Sequence, residues 1–395
     1  MTGKYRVLGL MTGAQAGASV IQQSFGVLAP FLIVDFDLNN AAFGALFTAM
    51  FIGSTCFTAV SGALTDQIGE RRMVLYSGLI MGVALASAAI WQNYLWLGGC
   101  MFVFGAGYAA ATPAGGRAIL AWFDRDRGFA MGIRQTGVPI GGLVGALVLP
   151  FVALHFGGYR AGLAIASALV IVPAVYVYTV YRESAAERPA PTRKRDIARG
   201  MAELALDPRV IAVTIPAMVL VNVQLALNGF LTLTAIRTIG VTPAVASLTF
   251  AAAFVAATLA RLFWGWFSDR FMRDRIALLG VLCVLASAAT FAFAVLRPAN
   301  VVLLLPVALL LGFAGAGWNG VMAASLAEIG GANRAGSALG ITLTAIFATS
   351  AVGPLVFGSI ADHRSLEAAW IVTGFVTLVG VLPPIWLRFV RREAA

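Results

Sequence analysis

The segment Gly62-Ala-Leu-Thr-Asp-Gln-Ile-Gly-Glu-Arg-Arg72 sets an acid, a glycine turn and two arginines between two long apolar runs. Further along, Gly265 to Arg275 (GWFSDRFMRDR) does nearly the same thing. The surrounding chain explains why such turns stand out. Of 395 residues, 60% are hydrophobic and 11% are charged, with a mean hydropathy of +0.89. That is too little charge to cover a soluble protein of this length. Apolar runs of about 20 residues, at a rise of about 1.5 Å each, are what crossing a hydrocarbon layer requires.

Twelve such runs are read, at 7–34, 41–65, 73–92, 95–123, 128–155, 161–181, 209–236, 243–268, 276–296, 301–328, 335–361 and 367–388. The opening MTGKYRVLGL leads into a span too long for a cleaved leader and is read as a retained first helix. Cys56, Cys100 and Cys283 fall inside apolar runs and are read as core residues, not as a disulfide set. The one long polar tract, residues 182–208, carries Pro-Ala-Pro and charge clusters. It divides the chain into a six-span unit at 1–181, a linker at 182–208 with a surface helix at 197–206, and a second six-span unit at 209–395.

Charge fixes the expected orientation. Of the 27 Lys and Arg residues, Arg160, Arg237, Arg297 and Arg364 fall in outer loops, and Arg117, Arg134 and Arg261 fall within spans. The others occupy inner loops and tails if both termini are cytoplasmic, as positive-inside insertion demands. Topology therefore accounts for the basic balance without nucleic acid. The two quoted segments become the turns between spans two and three and between spans eight and nine. They stand at matching places in two copies of one unit, the parallel repeat of a carrier whose halves rock about a midplane site. Gly62, Asp66, Gly69, Arg71 and Arg72 in the first turn, with Gly265, Asp269, Arg270 and Arg273 in the second, are expected to latch the inner side in one state and release it in another.

The first turn resembles the signature of the major facilitator superfamily, Gly-x-x-x-Asp-(Arg/Lys)-x-Gly-x-(Arg/Lys)-(Arg/Lys). Gln67 departs from it, and Met272 stands where the second copy would have its glycine. The resemblance covers the whole chain. It implies an all-α membrane protein of twelve helices in two pseudo-symmetric bundles, both termini cytoplasmic, multi-pass in a bacterial inner membrane. Two further stretches, QSFGVLAPFL and ARLFWGWFSDR, resemble the oxalate/formate exchanger and monocarboxylate transporter branch. In that branch an arginine of the eighth span holds a carboxylate, which implies this role for Arg261; span eleven lacks the lysine of the oxalate exchanger. GIRQTGVPIGG in span five is similar to the superfamily's antiporter motif, with Gly137, Gly141 and Gly142 placed for close helix contact.

Each buried arginine costs about 2.5–3.5 kcal/mol near a helix centre on the insertion scale, so a function or a partner is expected for each. Arg117 and Arg134, about six residues from the inner end of their helices, are also within reach of headgroups or the inner turns. The 17 Asp and Glu residues fall in loops, tails and span ends, and His155 and His363 sit at the outer face. An interior with cations and no anions attracts an anion and repels a cationic drug. A small organic anion, a monocarboxylate by preference, is therefore the expected cargo, with Arg261 its main ligand and Arg134 and Arg117 secondary. Gln15, Gln22, Tyr108, Asn222, Gln224, Asn228 and Asn319 are polar candidates for lining the same cavity. No cofactor, no metal and no enzymatic chemistry are expected, and the carrier is read as a monomer. Transport by exchange, by uniport or with a proton riding on the substrate all fit. The rival reading is efflux of drugs or neutral metabolites.

Overall fold

The computed structural model describes residues 2–123, 127–183, 204–272 and 274–393. Most of the linker and its expected surface helix lie outside these residues, as do Arg125 and Arg273. The described residues hold 12 helices long and apolar enough to cross a membrane. They are Gly3–Asp35, Asn40–Thr58, Glu70–Ile90, Tyr94–Ile119, Ala130–Phe156 and Gly158–Val180, followed by Pro208–Ile239, Pro243–Arg270, Arg275–Ala294, Pro298–Gly330, Ala338–His363 and Leu366–Leu387. Their number and order match the spacing of the apolar runs. Polar residues set several starts. Asn39, Asn93, Thr242 and Ser365 each accept the backbone N–H three residues on, satisfying a donor that a helix N-terminus leaves without an intrahelical partner.

Helical residues continue through the expected turn between spans ten and eleven, so one run covers Asn319–His363. Glu328 meets Arg275 at one end of the molecule, and Asp362 meets Asn40 at the other. Before Glu328 the run passes Gly320, set beside Arg261, and after it Thr342 bonds Thr214 and Gly353 meets Asn222 on the way to Asp362. The run thus reverses direction within itself and supplies part of span ten and all of span eleven. Span ten is interrupted earlier, where Ala316, Gly317 and Trp318 leave the helix.

Helix neighbours repeat with an offset of six. Spans 1 and 5, 2 and 4, and 3 and 6 lie together in the first half; spans 7 and 11, 8 and 10, and 9 and 12 do so in the second. Across the halves, span 2 meets span 11 and span 5 meets span 8. An even number of crossings puts both chain ends on one side, termed the terminal side. Away from it the halves are clasped. Asp362 Oδ1 accepts from the backbone N–H of Asn40 at 2.8 Å and from its side-chain amide at 2.7 Å, and Oδ2 accepts from Ala41 N–H at 2.7 Å. A carboxylate on the open N–H groups of a helix start is favourable both by hydrogen bonding and by the helix dipole. Nearer the middle, Thr232 donates to the Gly26 carbonyl at 2.7 Å and Asn228 to Gln23 Oε1 at 2.6 Å.

Replacing Asp362→Ala removes three acceptor contacts between the halves, each worth on the order of 1 kcal/mol. Labelling of a cysteine placed at Thr232, buried between the halves, by a membrane-impermeant maleimide is expected to rise about tenfold; an unchanged rate would show that the clasp does not hold this end shut.

Candidate functional site

The first quoted turn is held within its own half. Gly69 ends one helix and caps the next with φ at +86°, a conformation that residues with a Cβ rarely adopt. The Glu183 carboxylate lies against it: a Cβ at Gly69 would stand 2.3 Å from Oε1, which also accepts from Arg71 N–H at 3.1 Å. Arg71 donates to the Tyr178 carbonyl at 2.7 Å and stacks over that ring, while Arg72 is exposed. The side chain of Asp66 lies outside the described residues.

Glu70, the acid inside the turn, is buried. It accepts from the Tyr181 hydroxyl at 2.8 Å and pairs with Arg117 Nε at 3.4 Å. Burial and the Glu70 carboxylate push the Tyr181 phenol well above its usual range, so Tyr181 stays the donor. Arg117 also donates to the Thr65 carbonyl at 3.3 Å. The structure thus places Arg117 against the turn. The second half carries the same tie with the charges exchanged. There the turn supplies the cation, Arg275, which pairs with Asp269 and with Glu328 at the end of span ten. Arg270 is exposed, and nothing crowds Gly265.

The remaining arginines lie within spans 5 and 8, on the terminal side of the middle. Arg134 of span 5 is wholly inaccessible. Its Nη1 donates to Gln15 Oε1 of span 1 at 2.7 Å, and the guanidinium packs against Gly115 of span 4, where a Cβ would come within 2.7 Å of Nη1. Gly137 and Gly141 bring span 5 onto the backbone of span 1 at Thr12 and Ala16, and Gly142 receives the ring of Phe254 from span 8. Close helix contact is thus what those glycines provide.

Arg261 of span 8 lies deep in the molecule yet keeps partial accessibility. Its Nη1 reaches across the halves to the Gln135 carbonyl at 3.4 Å, and its Nε reaches the Ala316 carbonyl, freed by the break in span ten, at 3.4 Å. Asn319 Nδ2 points to the same carbonyl at 3.5 Å. Both Arg261 contacts are long and therefore weak. Among the described residues, no carboxylate pairs with Arg261. Tyr108 of span 4 lies near Ser19 and Gln15 and within electrostatic reach of both guanidinium groups.

Of the polar candidates, Gln15, Tyr108 and Asn319 belong to this cluster. Gln22 is buried and Gln224 half-buried in the neighbouring spans, and Asn228 ties to Gln23 further out. Asn222 sits apart, in a cleft between spans 7, 11 and 12 with Thr349, Gly353 and Thr373. No group of His, Cys, Asp or Glu among the described residues is arranged to hold a metal ion.

The family model of the Major Facilitator Superfamily matches residues 11–236 and 217–395. The chain belongs to that family. It is 29% identical over 358 residues to an uncharacterized MFS-type transporter of Mycobacterium tuberculosis, covering 84% of this chain and 75% of that one. A probable sulfoacetate transporter of Cupriavidus necator is 27% identical over 142 residues, 36% of this chain and 33% of its own length. In fold the chain matches a bacterial homolog of the human lysosomal transporter Spinster, solved inward-facing and occupied. The TM-score is 0.79 at 17% identity, over 97% of this chain and 95% of that one. This chain is therefore a multi-pass membrane transporter and not an enzyme.

Glu70→Ala leaves Arg117 and the Tyr181 hydroxyl without their shared acceptor and is expected to cost about 2–3 kcal/mol. Thermal unfolding of the detergent-purified transporter reads this as a clear drop in midpoint. A midpoint equal to wild type would show that the tie contributes nothing to the first half.

Proposed function

We propose that this transporter carries a small organic anion, a carboxylate, across a bacterial inner membrane, with Arg261 as its principal ligand. One observation carries the reading: a guanidinium deep between the halves, partly accessible, held by two long carbonyl contacts. An arginine in that setting favours an anion strongly, because a bidentate carboxylate pair replaces weak contacts in a low-dielectric place. Arg134 adds a second positive charge close by. The name of the Cupriavidus relative, a probable sulfoacetate transporter, supports an acidic cargo.

Alternating access fits the arrangement of contacts. The units at 1–181 and 209–395, joined through 182–208, rock about the Arg261 level. The clasp at Asp362 and the bonds at Gly26 and Asn228 close the side away from the termini. The two turn-to-span ion pairs stiffen each half on the terminal side, so Arg117 serves the turn and not the cargo. Exchange, uniport or a proton carried on the substrate itself suits a centre built from arginines. Efflux of cationic drugs does not suit it.

Uptake of labelled lactate, formate, oxalate and glycolate into proteoliposomes tests the reading. Arg261→Ala is expected to raise KM for the carried anion by about tenfold to a hundredfold, the range for losing a charge-assisted pair. Undiminished uptake would remove Arg261 from the site. Transport of cationic dyes with no anion uptake would replace the proposal with efflux.

A further inference from the structure

Arg261 reaches the Gln135 carbonyl because span 5 leaves that carbonyl open. A proline nitrogen carries no hydrogen, so a proline inside a helix deprives the carbonyl four residues earlier of its partner. Pro139 stands four residues after Gln135, inside the continuous helix Arg127–Phe156. Within a membrane, carbonyls freed in this way are met by donors from neighbouring helices. Span 4 does this inside one half: Pro113 frees the Ala109 carbonyl, and Ser61 of span 2 donates to it at 3.1 Å. The Gln135 carbonyl is met from the other half instead, by Arg261 Nη1 at 3.4 Å. Helix register fixes where this happens. Spans 5 and 8 run antiparallel, and the Phe254 ring is seated against Gly142, where a Cβ would stand 2.3 Å from Cε1. Gln135 and Arg261 each lie seven residues from that seat towards the terminal side, about 10 Å along the seam.

We infer that Pro139 is a positioning residue for a releasable tie between the halves: it keeps the Gln135 carbonyl open so that Arg261 holds the terminal side of the seam together. The tie has two properties that a permanent contact lacks. It is long, and so costs little to break. Its donor also reaches the Ala316 carbonyl of its own half, so the guanidinium keeps an acceptor when the halves part. The Ser61 bond lies inside one half and stays closed as the halves rock. A ligand that takes Arg261 competes with the Gln135 carbonyl for the same N–H groups, so binding loosens the seam. That last step rests on the proposed anion transport; the tie itself does not.

Spin labels on cysteines placed at Gln67 and Arg270, exposed in the turns of the two halves, read the tie as a distance, with Cys56, Cys100 and Cys283 replaced by alanine. Pro139→Ala restores an N–H and closes the Gln135 carbonyl within span 5. Without ligand it is expected to raise the population with the turns further apart at least about threefold over wild type. Arg261→Met keeps the proline and its bend but removes the donor, and is expected to give the same shift. The double variant adds little, because both changes break one bond. Pro113→Ala closes a carbonyl used inside one half and is expected to leave the distance unchanged. An unmoved distance in Pro139→Ala or Arg261→Met, additive shifts in the double variant, or an equal shift in Pro113→Ala would overturn the inference. Millimolar glycolate is expected to move the wild type in the same direction and to change nothing further in Arg261→Met. Should neither glycolate nor lactate, formate or oxalate move the wild type while both variants do, the tie stands and the anion reading falls.

Discussion

An arginine that cannot lose its charge, held where water is scarce, is the constraint around which the centre of this protein is built. Arg134 and Arg261 each carry that cost, and the structure meets it in different ways. Arg134 is buried against a glycine and donates to a glutamine. Arg261 is left with carbonyls at the limit of hydrogen-bond distance. One of those carbonyls exists as an acceptor only because span ten breaks at Ala316. Backbone that leaves the helix inside a membrane is tolerated where it is buried in protein or lines a cavity. The broken helix and the accessible arginine thus belong to one feature.

The two halves reach similar ends by different chemistry. In the first, a buried acid of the turn meets an arginine of span four; in the second, an arginine of the turn meets an acid of span ten. The attraction has the same sense with the charges exchanged, so the pair is preserved in geometry while the residue types are not. A single repeated motif is then a poor guide to how each turn is held. Asp362 shows the same economy on the opposite side, where one carboxylate accepts three donors from the start of a helix in the other half.

Much of the fold was legible from residue order. Apolar runs separated by short charged turns located all twelve helices, and the repetition of GALTDQIGERR in GWFSDRFMRDR gave the sixfold offset that the helix neighbours follow. Arg261 and Arg134 were legible as charges with no local reason to be buried. That Arg117 could reach an inner turn was legible from its depth, but its partner was not, because Glu70 sits in a turn and reads as solvated; only the tertiary contact with Tyr181 shows that it is buried. The break at Ala316 had a weak signal in the glycines of GFAGAGWNG. Asp362 had none, since its helix-capping role depends on a span more than three hundred residues away. Gly115 lay in a run that reads as ordinary helix contact, and its relation to Arg134 becomes visible only when spans four and five are brought together.

The central claim is that the space beside Arg261, between the halves, is a seat for a carboxylate. An experimental density map of the transporter prepared with and without millimolar glycolate addresses it directly. The account predicts added density on the Arg261 guanidinium, with its contact to the Gln135 carbonyl given up. A map in which that space is unchanged by the ligand, with Arg261 still on the two carbonyls, would contradict it.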